Sequence, residues 1–349
     1  MKDISIKGRP IGAGHSCYLV AEIGINHNGD IKLAKHTIDA AVHAGADAVK
    51  FQNYYTEDFI TDKSLKYQYI SQGETVIESQ YEMFKRCELT PDSLKELKEY
   101  CDQKEIGFHS TPTSESGIQD LVAVGAPVLK NGSDYLTNVD LIRAMANTGL
   151  PTVISTGMAT VAEIDDAVRT FRDSGHNQLI LLHCTSSYPT PTEEVNLRRI
   201  PALAQIFDCP IGFSDHTAGN TAAIGAIVLG ACWIEKHFTL DKNLPGPDHR
   251  FSADSSEFQS LVEGVRIIEQ SLGTSAIVPT ASECASREGF RLSCTAARHL
   301  PCDYVLTQSD IEFKRPGIGF PPKAVNWLVG GKLKQSVTKG HIFTIEDLR

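Results

Sequence analysis

Long apolar runs are missing from this chain. None approaches the ~18 residues that a membrane-crossing helix needs, so no membrane span is expected. Paired cysteines are missing too: the nine cysteines show no C-x-x-C and no other zinc-ligand spacing. Their odd number, with no secretory leader ahead of them, favours reduced thiols and a cytoplasmic location over a disulfide framework. Positive charge is in deficit. A formal net charge of −10 over 349 residues argues against nucleic acid and against an anionic membrane surface as partners. No G-x-G-x-x-G opens a helix after the first strand-like run, and Val329-Gly-Gly-Lys332 lacks the spacing of a phosphate loop. Asn131-Gly-Ser133 fits a glycosylation pattern but ends a run that reads as a buried strand.

What is present is a recurrence. Eight short apolar runs read as buried strands: Cys17–Gly24, Ala46–Gln52, Ile106–Thr111, Pro127–Gly132, Pro151–Thr156, Gln178–Cys184, Cys209–Asp215 and Ala231–His237. Nearly all close on polar or ionisable residues, among them Glu22, Lys50, Lys130, His216, Glu235 and His237. Between them lie amphipathic helical patterns with start signals, such as the capping box Thr160-Val-Ala-Glu163 and the Thr90-Pro91 pair. Strands alternating with helices require parallel pairing. Chemistry collected at the C-terminal strand ends then predicts an α/β protein with a (β/α)₈ TIM barrel. The pattern places this catalytic domain at residues 1–273. A Ser-, Thr- and Ala-rich linker follows at 274–286, then a small β-rich domain at 287–349 with strand-like pieces at Arg291–Ala296, Asp310–Lys314 and His341–Thr344. The long stretch Asn53–Glu88 reads as an inserted loop over the barrel mouth.

His216 and His237 are the best metal-ligand candidates, because they end neighbouring strands. Two imidazoles completed by water and substrate oxygens suit Mn²⁺ or another divalent first-row ion better than a closed zinc site. Two unrelated histidines are the plain alternative. Lys50 and Lys130 read as an anion site or as a Schiff-base amine. With Thr111, Ser133, Ser155 and Ser214 on the same rim, a phosphate or carboxylate site is the simplest reading. Glu22 is a candidate acid or base, or only a lysine's partner. Asp248 could hold a substrate hydroxyl, or merely shape its Pro-Gly-Pro turn.

These residues lie in motifs that resemble the sialic acid synthase family. The motifs are Ala21-Glu-Ile-Gly-Ile-Asn-His-Asn-Gly29, Ala44-Gly-Ala-Asp-Ala-Val-Lys-Phe-Gln52, Ser155-Thr-Gly-Met158, His183-Cys-Thr-Ser-Ser-Tyr-Pro-Thr190, Gly212-Phe-Ser-Asp-His216 and Ile234-Glu-Lys-His-Phe-Thr-Leu-Asp241. Lys314-Arg-Pro-Gly317 resembles the family's antifreeze-like (SAF) domain. The resemblance implies condensation of phosphoenolpyruvate with an N-acylmannosamine-type aldose, N-acetylmannosamine first, to a nine-carbon keto acid and phosphate. A legionaminic or pseudaminic acid synthase using a 2,4-diacetamido-trideoxy hexose is the alternative. It further implies that His216 and His237 bind the metal, with Mg²⁺ or Co²⁺ as alternatives to Mn²⁺. Lys50, Thr111, Lys130, Ser133, Ser155 and Ser214 would bind phosphoenolpyruvate, and Glu22 would stand at the reacting carbons. Gln52, Ser186, Tyr188 and Asp248 would surround the sugar. Arg315 would reach the partner's site in a domain-swapped homodimer.

The chain departs from the family pattern on the sugar side. Thr113 stands where phenylalanine is common, Tyr135 where an acidic residue is usual, with Asp134 one position earlier, and Ser186 where many members have asparagine. Pro301-Cys-Asp-Tyr304 replaces a Lys-Gly turn. Ser214-Asp-His216 looks like the bacterial pattern and favours an unphosphorylated sugar. Two other classes remain: a class I aldolase working through Lys130 or Lys50, and a carbohydrate-binding paralogue without turnover.

Overall fold

The computed structural model describes residues 3–349 and divides the chain into two compact units, Met1–Gly273 and Thr274–Arg349. In the first unit eight strands run parallel: β1 (Tyr18–Gly24), β2 (Ala48–Asn53), β3 (Gly107–Pro112), β4 (Leu129–Asn131), β5 (Thr152–Ser155), β6 (Leu179–Cys184), β7 (Ile211–Asp215) and β8 (Trp233–His237). Hydrogen-bonded neighbours follow the order 3-2-1-8-7-6-5-4, so β1 closes against β8 and the ladder is open only between β3 and β4. This is the TIM barrel, with a helix on most crossovers.

Local signals start the helices where the sequence puts them. Asp30 caps Ile31–His43 by accepting from the Lys32 and Leu33 amides, and Thr160 with Glu163 forms a full capping box on Val161–Asp173. The strands are buried on both faces, which is why they read as continuous apolar runs rather than as alternation. Alternate residues nevertheless part company. Leu19, Ala21 and Ile23 of β1 join the layer under the helices. Tyr18 and Val20 fill the barrel interior with Ala48, Val128, Val153, Ile180, Leu182 and Trp233. A short hairpin, Ile4–Ile6 with Arg9–Ile11, adds Ile4, Ile6 and Ile11 to that interior cluster. His109 packs against Tyr18 and Trp233, at ring-centroid distances of 5.6 and 5.3 Å, while those two rings stack on each other at 4.6 Å.

Residues 53–88 are not a plain loop. They form a short helix (Thr56–Phe59), an antiparallel hairpin (Lys66–Ser71 with Glu74–Ser79) and a helix (Gln80–Arg86). The hairpin closes through Gln72 and Gly73, both at positive φ (53° and 84°), the two-residue turn that matches strand twist. It is tied to the loop after β8: Gln72 Nε2 donates to the Asn243 carbonyl and the Gly246 amide donates to Ser71 Oγ.

In the second unit a helix, Ala281–Phe290, occupies part of the stretch expected to be linker, started by a Thr280–Glu283 capping box. Ser293–Ala296 pairs antiparallel with Ile311–Lys314 over a small core of Cys294, Leu300, Leu306, Leu328, Leu333 and Phe343. His341–Thr344 is no regular strand. It contributes one isolated bridge, Thr295 to Ile342. In Pro301–Tyr304, Asp303 takes the left-handed conformation (φ 64°).

Candidate active site

The two-residue period of the strands builds the site. Continuing the inward-facing positions towards the C-terminal ends gives Glu22 on β1, Lys50 and Gln52 on β2, Thr111 on β3 and Lys130 on β4. Ser155, Cys184 and Ser214 follow on β5 to β7, and Glu235 and His237 on β8. Apart from His109, the barrel's lower layers are aliphatic and aromatic, and its top layer is polar. These side chains line one cavity of about 410 Å³, joined by Thr113, Ser133, Asp134, Tyr135, Met158, Ser186, Tyr188 and His216 from the strand ends and loops.

At its floor, Lys50 Nζ lies 2.7 Å from Glu22 Oε2 and 3.4 Å from Glu235 Oε1 and donates to Thr111 Oγ1 at 3.1 Å. Gln52 Nε2 donates to the other Glu22 oxygen at 3.3 Å, and Ser214 Oγ donates to Glu235. Burial pulls the Lys50 ammonium down, but the two carboxylates outweigh it and hold it above its ordinary value. Glu22 and Glu235 share that lysine unequally. Burial pushes Glu22 up against the pull of Lys50, whereas for Glu235 the attraction of Lys50, Lys130 and His216 overcomes burial and holds it down. Lys130 Nζ donates to Ser155 Oγ and to the Asn131 carbonyl, both at 2.7 Å, and burial lowers its ammonium. Two buried lysines ringed by hydroxyls can take a doubly charged anion. The Gly157 amide donates to Ser133 Oγ at 3.0 Å, and a Cβ on Gly157 would overlap Ser133 and Ser186.

On the other side His216 and His237 face each other with ring centroids 5.5 Å apart and a 53° tilt. His216 Nδ1 is held by the Thr185 carbonyl at 2.9 Å, leaving Nε2 for another partner, while buried His237 Nδ1 has no hydrogen bond in the protein. Burial, with His216 nearby, keeps His237 well below its usual range and hence neutral, as a metal ligand must be. Cys184 and the Thr185 carbonyl hold the His216 imidazole up despite burial. Among the described residues no three His, Cys, Asp or Glu side chains are placed to enclose a metal. With His237 Nδ1 buried and without a hydrogen bond in the protein, the pair fits an open site completed by water and substrate oxygens. Tyr188 packs on His216 (4.2 Å between centroids) and on Phe251 (5.2 Å), walling the histidines.

Of the residues singled out from sequence, Glu22, Lys50, Gln52, Thr111, Lys130, Ser133, Ser155, Ser186, Tyr188, Ser214, His216 and His237 all line this cavity. Asp248 does not line it. It sits beside His237 Nδ1 at 3.9 Å, and burial pushes its carboxyl up to about 6. Arg315 belongs to the second unit, where its Nε donates to the Phe290 carbonyl and its guanidinium lies over the Phe290 ring. Glu235 and Cys184 were missed as site residues. The signal was parity: Glu235 is two before His237 on one strand, and Cys184 is two after Leu182.

Comparison with known proteins bears on the chemistry. The NeuB family model matches residues 37–276. The chain is 38% identical to the N,N'-diacetyllegionaminic acid synthase of Legionella pneumophila, over 95% of this chain and 94% of that one. It is 34% identical to the N-acetylneuraminate-9-phosphate synthase of Homo sapiens, over 95% and 92%. Among solved structures, the N-acetylneuraminic acid synthetase of Leptospira borgpetersenii in complex with citrate superposes with a TM-score of 0.74 at 34% identity, covering 82% of this chain and 95% of that one. With the family model spanning most of the barrel and relatives aligned nearly end to end, the chain belongs to the NeuB family and is a phosphoenolpyruvate-dependent nonulosonate synthase, a transferase.

Proposed function

We propose that the cavity condenses phosphoenolpyruvate with the aldehyde of an open-chain N-acylmannosamine-type sugar, releasing phosphate and a nine-carbon 2-keto acid. The observation that carries this reading is the pairing, in one cavity, of a two-lysine anion site with two imidazoles free to hold a divalent ion. Lys50, Lys130, Thr111, Ser133, Ser155 and Ser214 bind the carboxylate and phosphate of phosphoenolpyruvate and fix its C3 towards the aldehyde. His216 and His237 would hold the ion, for which Mn²⁺ is best suited. Bound there, it supplies Lewis-acid polarisation of the aldehyde oxygen. C3 forms the new carbon–carbon bond, water adds at C2, and the C2–oxygen bond to phosphate breaks. Glu22, which burial keeps ready to hold a proton and Gln52 keeps oriented, gives that proton to the aldehyde oxygen as it becomes a hydroxyl and takes one back from the attacking water. Tyr188 and Ser186 border the sugar, and Asp248 stands beside His237.

The same reading makes residues 287–349 an antifreeze-like domain that places Arg315 in the partner's site of a homodimer. At Lys50 the Schiff-base alternative is disfavoured, because that lysine is tied to two carboxylates and held in its charged form; for Lys130, whose ammonium burial lowers, borohydride trapping with pyruvate is the test. The test is phosphate release from phosphoenolpyruvate with Mn²⁺, with and without a panel of aldoses, and with product masses recorded. Release only when an aldose is present, with a product heavier than the aldose by the three-carbon keto acid unit, is expected. Sugar binding without release would instead make the protein a non-catalytic paralogue.

A further inference from the structure

His216 and His237 stand at the ends of β7 and β8 on positions that face the cavity, and by strand alternation the residue before each points the other way, out of the barrel. Those two residues, Asp215 and Lys236, are paired directly across the β7–β8 ladder. Lys236 Nζ lies 2.7 Å from Asp215 Oδ2, and both side chains are all but closed to solvent, at 4% and 0% exposure. The same Nζ donates to the Thr217 carbonyl at 2.9 Å, and the Thr217 amide donates to Asp215 Oδ1 at 2.9 Å. Asp215 and Thr217 flank His216, and Lys236 precedes His237. One ammonium therefore grips the chain on both sides of one histidine and belongs to the residue next to the other.

Apolar side chains would fill this layer as well. The outward residues near the ends of β1 and β2 are Ile23 and Phe51, in the core under the helices. Withdrawing two charges from water costs about what their attraction returns, so a buried ion pair adds little stability over a packed apolar pair. What it adds is direction. Apolar contact is non-directional, whereas the three polar contacts of this ring fix β7, β8 and the turn after His216 against one another. The imidazoles depend on such a fix. His237 Nδ1 has no hydrogen bond in the protein, so that ring takes its place from its backbone and from packing on Phe251, at 5.0 Å between centroids.

We propose that Asp215 and Lys236 are positioning residues, which hold the backbones of His216 and His237 at the spacing a shared divalent ion needs. Neither lines the active-site cavity, so neither meets the reacting atoms. This inference rests on the reading of the two histidines as metal-holding.

The test measures the Mn²⁺ affinity of the full-length protein by electron paramagnetic resonance of the free ion, and separately its affinity for phosphoenolpyruvate. Wild type is compared with Asp215→Asn, with the double variant Asp215→Leu, Lys236→Met, which leaves no lone buried charge, and with Lys236→Arg, which keeps the pair. In the double variant the Mn²⁺ Kd should rise by about 10–100-fold, the usual cost of losing support behind a metal ligand. Asp215→Asn should shift it in the same direction by less, and Lys236→Arg should stay close to wild type. Phosphoenolpyruvate affinity should stay unchanged throughout. Unaltered Mn²⁺ affinity in both charge-removing variants, or equal loss of both affinities, would overturn the proposal. So would failure of both variants to fold by circular dichroism, which would make the pair structural only. If wild type does not bind Mn²⁺, or a His216→Ala, His237→Ala variant binds it equally well, the metal reading falls and this one with it.

Discussion

At the residue scale, depth in the barrel decides what a side chain can do. His109 and Lys50 both point into the interior, yet only Lys50 reaches the polar layer. His109 lies one layer down, packed against the stacked Tyr18 and Trp233 rings with Nε2 beside the Tyr18 hydroxyl. Burial, helped by Lys50, lowers its imidazole to about 3. Its folded value is depressed below the unfolded one, and it is neutral when folded. Below about 6.5 the unfolded chain takes up a proton that the folded chain refuses. The stability from a neutral His109 is thus full at neutral pH and is lost as pH falls from about 6.5 towards 3. Thermal unfolding of wild type should fall in Tm over that window, and His109→Phe should fall less steeply. Equal slopes would show that this imidazole is not the group responsible. Lys50, Lys130 and the histidines were legible because each closes an apolar run. Glu235 was not selected, because on a strand buried on both faces apolar and polar residues do not alternate by face, so inward parity had to come from the registers.

Elements were legible where continuous apolar runs or caps marked them, as in β1 to β8 and the helix capped by Thr160 and Glu163. Between 53 and 88 the reading stopped at a loop. The hairpin there is mostly solvent-exposed, so no apolar face marks its strands, and its turn is a Gln-Gly pair rather than a stronger Asn-Gly signal. Two glycines show how strand and loop geometry divide between stability and chemistry. On β7 a Cβ at Gly212 would lie 2.7 Å from the Trp233 carbonyl and 2.5 Å from the Leu182 side chain, inside packed barrel. Gly212→Ala should cost about 1–3 kcal/mol by overpacking. After β5, a Cβ at Gly157 meets chiefly the hydroxyls of Ser186 and Ser133, which can rotate away, with Ser133 Cβ at 3.1 Å asking for a shift of a few tenths of an ångström. Gly157→Ala should leave the denaturation midpoint nearly unchanged and raise the KM of phosphoenolpyruvate. The reverse pattern in denaturant titrations and kinetics would contradict this division.

At the scale of the whole molecule, the barrel was legible because its chemistry sits at strand ends, whatever the loops do. The second unit was less so: its short strand pieces carry little periodicity, and a capped helix stands where composition alone suggested linker. The account's central claim concerns the first unit, that one cavity joins an anion site to two metal-holding imidazoles and uses both at once. The most direct measurement is phosphate release from phosphoenolpyruvate after chelation and after return of Mn²⁺, by wild type and by the His216→Ala, His237→Ala variant, with an accepted aldose present. The account predicts that chelated wild type is silent and recovers with Mn²⁺, and that the variant, folded by circular dichroism, is slower by roughly two orders of magnitude or more. Full activity in the variant, or metal-free turnover through a pyruvate–lysine adduct trapped by borohydride, would contradict it.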